Sequence, residues 1–139
     1  MIVALMYCKS DLEPTMQLAR LLADIEPEPL NALITRQYVV GTNVMLARIV
    51  LKKGAQVPMH RHVHEQMSHV AEGALKFVVD GREEIVRAGE ILCIPPDVPH
   101  EVVALEDSVA LDIFNPPRQD WIDGDDAYLR GTGAAPSKA

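Results

Sequence analysis

The chain has 139 residues, 48% of them apolar, and a formal net charge of −7. That length is one domain, which excludes a second catalytic module, and the apolar fraction excludes disorder over most of the chain. The negative charge argues against nucleic acid, whose binders carry basic patches that release counterions, and opposes an anionic small molecule unless local arginines offset it.

The opening run from Met1 to Cys8 is apolar but lacks a basic leader and a small-residue cleavage site. It also falls far short of the roughly 20 apolar residues of a membrane span, so the expectation is a cytoplasmic protein with no membrane contact. Cys8 and Cys93 are too few for a disulfide framework and read as buried thiols in a reducing compartment. Residues 10 to 25 are expected to form a helix: Ser10 with Glu13 is a capping-box pair, Pro14 lies in the tolerant first turn, and Met16, Ala19, Leu22 and Ala23 share a face. Pro27 and Pro29 end it. Residues 1–33 therefore read as an amino-terminal extension.

Over 34–115 the chain becomes a series of short β-branched runs broken by Gly, Pro or Asp-Gly: 34–40, 44–51, 56–62, 66–72, 74–79, 82–87, 91–94, 100–105 and 108–114. Asp80-Gly81, between Val79 and Arg82, is a strong two-residue hairpin signal. Many short strands without helical crossovers predict an all-β jelly-roll barrel enclosing a pocket. Trp121, Ile122, Tyr128 and Leu129 are expected to pack a carboxy-terminal segment, 116–130, onto that barrel, and 131–139 reads as a flexible tail. The extension over 1–33 has no place in a minimal barrel, so it is expected to cover a neighbour or close the barrel's open edge, in a homodimer.

The chemistry lies in two segments. The first runs from Gly54 through Pro58, His60, His62, His64 and Gln66 to Gly73, and the second from Gly89 through Pro95, Asp97 and Pro99 to His100. Side chains two apart on a strand share a face, so His60 and His62 can meet one ion, with Gln66 supplying an amide oxygen after a turn and His100 a fourth donor from another strand. Three imidazoles and an amide form a neutral set that leaves a divalent ion its full charge as a Lewis acid. The donor types suit Ni, Zn, Mn or Fe and do not choose among them. His64 and His69 read as surface or hydrogen-bonded residues, His64 with a possible rim acid–base role.

These two segments resemble the paired motifs of the cupin superfamily over roughly residues 40 to 115, which implies a double-stranded β-helix. Asp97 stands where that family usually has Gly, Ala104 where it often has Asn, and Gln66 at its usual Glu position. The loss of a carboxylate at Gln66 implies weaker metal binding and argues against oxygenase chemistry. The segment from Leu111 to Trp121, and the His64-Glu65-Gln66 run, are similar to the pectin-degradation cupins of the KdgF type. That resemblance implies a small sugar-acid substrate, the linearisation of unsaturated uronates, with Asp112 moving a proton, Phe114 lining the pocket and Arg118 meeting a carboxylate. Asp112 and Phe114 are two apart and share a strand face with Ala110, as this requires. The competing structural reading has Asp112 capping a turn, Phe114 in the core and Arg118 paired with Asp120 on the surface. The other functional classes are a metal-dependent lyase or dioxygenase, because three His and one Gln also resemble manganese hydroxynitrile lyases, and a binding module without catalysis.

Overall fold

The computed structural model describes residue 19 and residues 21–131. Its strands are β1 (Glu28–Pro29), β2 (Ile34–Val40), β3 (Met45–Leu51), β4 (Gln56–His60), β5 (Glu65–Glu72), β6 (Ala74–Val79), β7 (Arg82–Arg87), β8 (Ile91–Ile94), β9 (His100–Ala104) and β10 (Ser108–Asn115). They form a six-stranded sheet ordered β1-β2-β3-β10-β5-β8 and a four-stranded sheet ordered β4-β9-β6-β7, with every pairing antiparallel. The all-β jelly-roll expectation is met.

Alternation explains why these runs are strands. In β3, Met45, Ala47, Ile49 and Leu51 point inward and are buried, while Leu46, Arg48 and Val50 point outward. Inward residues of both sheets, among them Ile34, Met45, Val70, Phe77, Ile94 and Val102, merge into one core. Asp80 and Gly81 take positive φ, 49° and 78°, and bring Val79 opposite Arg82, the hairpin expected of an Asp-Gly turn. Asp97 takes φ 62° at the turn where glycine was the expected residue, and its backbone N–H donates to His62 O at 2.8 Å.

Three expectations need adjustment, and one strand is additional. The strand through the first motif ends at His60, so His62 lies beyond it; a register irregularity between Val57 and His60 interrupts the ladder with β9. Most of the helix expected over 10–25 lies outside the described residues, and its described end, Leu22–Asp24, is a single 3-10 turn. Cys93 is exposed rather than buried, because it points outward from β8, whereas Cys8 lies outside the described residues. The two-residue strand β1, too short to leave a pattern, adds an edge to the larger sheet.

After β10 come α1 (Gln119–Ile122) and a 3-10 turn at Ala127–Leu129. Trp121 and Leu129 are buried in the main core, and Asn31 Nδ2 donates to Leu129 O at 2.9 Å. Arg36, enclosed on β2, pairs with Asp126 at 2.9 Å and Glu28 at 3.0 Å, and Arg130 joins the same two carboxylates. Two arginines and two carboxylates thus fasten this segment across β1 and β2. Among the described residues no helix is long and apolar enough to cross a membrane.

Candidate metal centre and pocket

His60 closes β4, His100 opens β9 directly opposite it, and His62 lies two residues beyond the strand end. Their ring centroids are 4.2 Å (His60–His100), 5.0 Å (His62–His100) and 5.5 Å (His60–His62) apart. One nitrogen from each lies within 4.8 Å of the others. Three donors so placed come within reach of one ion bound at about 2.1 Å once the side chains rotate inward.

Backbone carbonyls set which nitrogen faces inward. His60 Nδ1 lies 2.8 Å from Pro58 O, His100 Nδ1 2.8 Å from Val98 O, and His62 Nδ1 3.1 Å from His64 O. A neutral imidazole that donates from Nδ1 leaves Nε2 as a bare lone pair, the tautomer a metal requires. His100 Nε2 is buried with no hydrogen-bond partner, as expected of a donor awaiting a cation.

Gln66, inward on β5, completes the group. Its Nε2 donates to Ser68 Oγ at 2.9 Å, which turns Oε1 toward His62 Nε2 at 3.1 Å. His62 therefore faces an oxygen acceptor on each ring nitrogen but carries one proton when neutral, so one contact lacks a hydrogen. A cation shared by Nε2 and Oε1 resolves that conflict. The donor set fits a divalent transition metal.

All four imidazoles near this point are held in their neutral form by burial. Desolvation lowers His60 to about 4 against the opposing Pro58 hydrogen bond, and lowers His62 to about 3 with the Arg118 charge adding to it. His100 is lowered by the same cause. His64 is buried rather than at the surface, its Nδ1 has no partner, and burial lowers it too.

Beside the histidines is a largely apolar cavity of ≈ 60 Å³, walled by both sheets and the carboxy-terminal segment. A water needs about 10–15 Å³ by this measure, so a few fit. Asp112 and Phe114, both inward on β10, line it, as does Arg118. Asp112 Oδ1 is buried without a partner, and burial raises its carboxyl to about 6 against a hydrogen bond to Ser68 and the Arg118 charge. Phe114 is fully buried and meets Trp121 edge to face at 5.0 Å. Arg118 is buried, not on the surface: it forks onto Asp120 at 3.0 and 2.7 Å and stacks over Trp121 at 4.5 Å and Phe114 at 5.0 Å.

Sequence reasoning assigned Tyr128 to packing alone, yet it lines the cavity with its ring 4.8 Å from that of His60. Tyr128 Oη accepts from Arg118 Nη2 at 2.7 Å and from Trp121 Nε1 at 3.4 Å. With those lone pairs engaged, its own O–H is left to donate. The signal for Tyr128 in the sequence was the neighbouring Trp121 and Arg118, without anything to show that the three converge. His69, outward on β5, stands apart from the site.

Residues 47–114 match the family model described as Cupin domain. The pectin degradation protein KdgF of Dickeya dadantii is 32% identical over 98 residues, which cover 68% of this chain and 89% of that protein. Among solved structures, an RmlC-like cupin from Shewanella frigidimarina superposes with a TM-score of 0.71 at 30% identity, covering 76% of this chain and 96% of the other. KdgF from a Halomonas species gives 0.69 at 27% identity, covering 73% and 94%.

Proposed function

The chain belongs to the cupin family, and on that premise we propose that it is a metal-dependent enzyme that linearises unsaturated uronates, small sugar acids released in pectin breakdown. The observation that carries this reading is a neutral four-donor group with inward lone pairs, set beside a buried carboxyl whose one oxygen has no partner. The kinship to a pectin degradation protein supplies the substrate class.

His60, His62, Gln66 and His100 would hold one divalent ion, which as a Lewis acid would supply polarisation of a substrate oxygen. Asp112 does the proton work. A carboxyl raised to about 6 exchanges protons near neutrality. It takes the proton of the anomeric hydroxyl as the bond between the anomeric carbon and the ring oxygen breaks, which leaves an aldehyde and an enolate; it then gives that proton to the neighbouring alkene carbon as the enolate becomes a ketone, so no net proton is consumed. Phe114 forms an apolar wall. Arg118, already engaged by Asp120 and Tyr128, attracts the uronate carboxylate by charge, while the Tyr128 O–H donates to a substrate oxygen.

Elemental analysis of the purified protein, followed by NMR of ring opening in an unsaturated uronate, tests the proposal. One metal equivalent per chain is expected, and Asp112→Ala should slow the opening by about 100-fold. An unchanged rate removes Asp112 from the mechanism. A uronate that raises the melting temperature but is returned chemically unaltered replaces the enzyme with a binding module.

A further inference from the structure

Ser68 is fully buried on β5, directly opposite Asp112 on β10 and on the same strand face as Gln66. Its hydroxyl meets both neighbours. It accepts from Gln66 Nε2 at 2.9 Å, and it hydrogen-bonds the Asp112 carboxylate. Asp112 Oδ1 has no partner, so that bond falls on Oδ2. An ionised carboxylate can only accept, and a serine hydroxyl carries one hydrogen. The hydrogen of Ser68 therefore goes to Asp112, and Gln66 is offered lone pairs alone.

This fixes the direction of the Gln66 amide. Turned end for end, it would set Oε1 against the Ser68 oxygen with no hydrogen between them. In the observed direction Oε1 lies 3.1 Å from His62 Nε2, while His62 Nδ1 is engaged by His64 O. With the imidazole proton on Nδ1, an oxygen lone pair then faces a nitrogen lone pair. His62 alone would favour the reversed amide, whose Nε2 could donate to it; Ser68 forbids the reversal. A cation between Oε1 and Nε2 is what satisfies both residues at once.

We infer that Ser68 is a positioning residue of the proposed centre: by giving its single hydrogen to Asp112 it locks the Gln66 amide with the oxygen toward the ion, and it leaves Asp112 Oδ1 free for the substrate's proton. One hydroxyl thereby ties the cation site to the proton carrier. The inference rests on the metal-dependent reading given above and adds to it a residue that touches neither ion nor substrate.

Zinc affinity of the full-length chain, measured at neutral pH by competition with a chromophoric chelator, tests it in two backgrounds. In the native sequence Ser68→Ala should weaken zinc binding about tenfold, because the released amide turns Nε2 to His62 and must turn back before the ion can bind. In a Gln66→Glu background the same change should alter affinity by less than about twofold, since a carboxylate presents an oxygen whichever way it turns. Equal losses in the two backgrounds would assign Ser68 to packing and overturn the inference, as would an unchanged affinity in the native sequence. A native chain that takes up no zinc, nickel, manganese or iron sinks the metal-dependent reading itself, and the role of Ser68 with it.

Discussion

In the proposed centre, Gln66 would govern how firmly a cation is gripped. An amide oxygen brings a dipole to the ion where a carboxylate would bring a full charge, so Gln66→Glu should tighten metal binding at least about tenfold. Competition against a chromophoric chelator measures this, and an unchanged affinity removes Gln66 from the donor set. Asp112 shows the opposite tension, between function and stability. Burial raises its carboxyl from the ordinary 3.8 to about 6, so between those values the folded chain binds a proton that the unfolded chain releases. Stability therefore falls as pH rises through that window and stays lower above it. Asp112→Asn should stabilise the metal-free protein at pH 7.5 by up to about 3 kcal/mol, and by only about 0.5 kcal/mol at pH 4. Urea melts at the two pH values read the difference; equal gains at both would assign it to packing rather than charge.

Each strand's existence was legible because the core demands inward apolar residues every second position and the turns demand Gly, Asp or Pro between them. Elements too short to carry a period were not: β1 and α1 have two and four residues. The convergence of His60 and His62 was anticipated from strand parity, but His62 reaches the site from a loop, steered by its Nδ1 contact to His64 O. Parity gave the right neighbour for an incomplete reason. At the level of turns, Gly73 joins β5 to β6 at φ 84°, and a Cβ there would lie 2.3 Å from Ser108 Oγ and 2.4 Å from Asp107 O. Neither backbone nor packing leaves room. Gly73→Ala should cost about 2 kcal/mol or more, seen as a lower urea midpoint; an unchanged midpoint would show that the 107–108 loop yields.

At the scale of the molecule, the carboxy-terminal segment is held by charge as well as by Trp121 and Leu129. Removing Asp126 leaves the enclosed Arg36 guanidinium with Glu28 alone, although its face still rests 4.6 Å from the Trp121 ring. Asp126→Ala should destabilise the protein by about 3–5 kcal/mol. It should also redden the emission of the single tryptophan as the segment loosens; unaltered emission would mean that apolar contacts suffice. Contacts spanning this much chain were the least legible part of the molecule: Arg36 meets Asp126 across ninety residues, and no periodicity reports such a pairing. The same held for Tyr128, whose place at the pocket follows from where the segment docks. Because that wall follows the histidines in the chain, a ribosome extrudes the imidazoles first and the wall afterwards. Until Tyr128 emerges, the imidazoles of a nascent chain lack the wall that the carboxy-terminal segment gives their pocket.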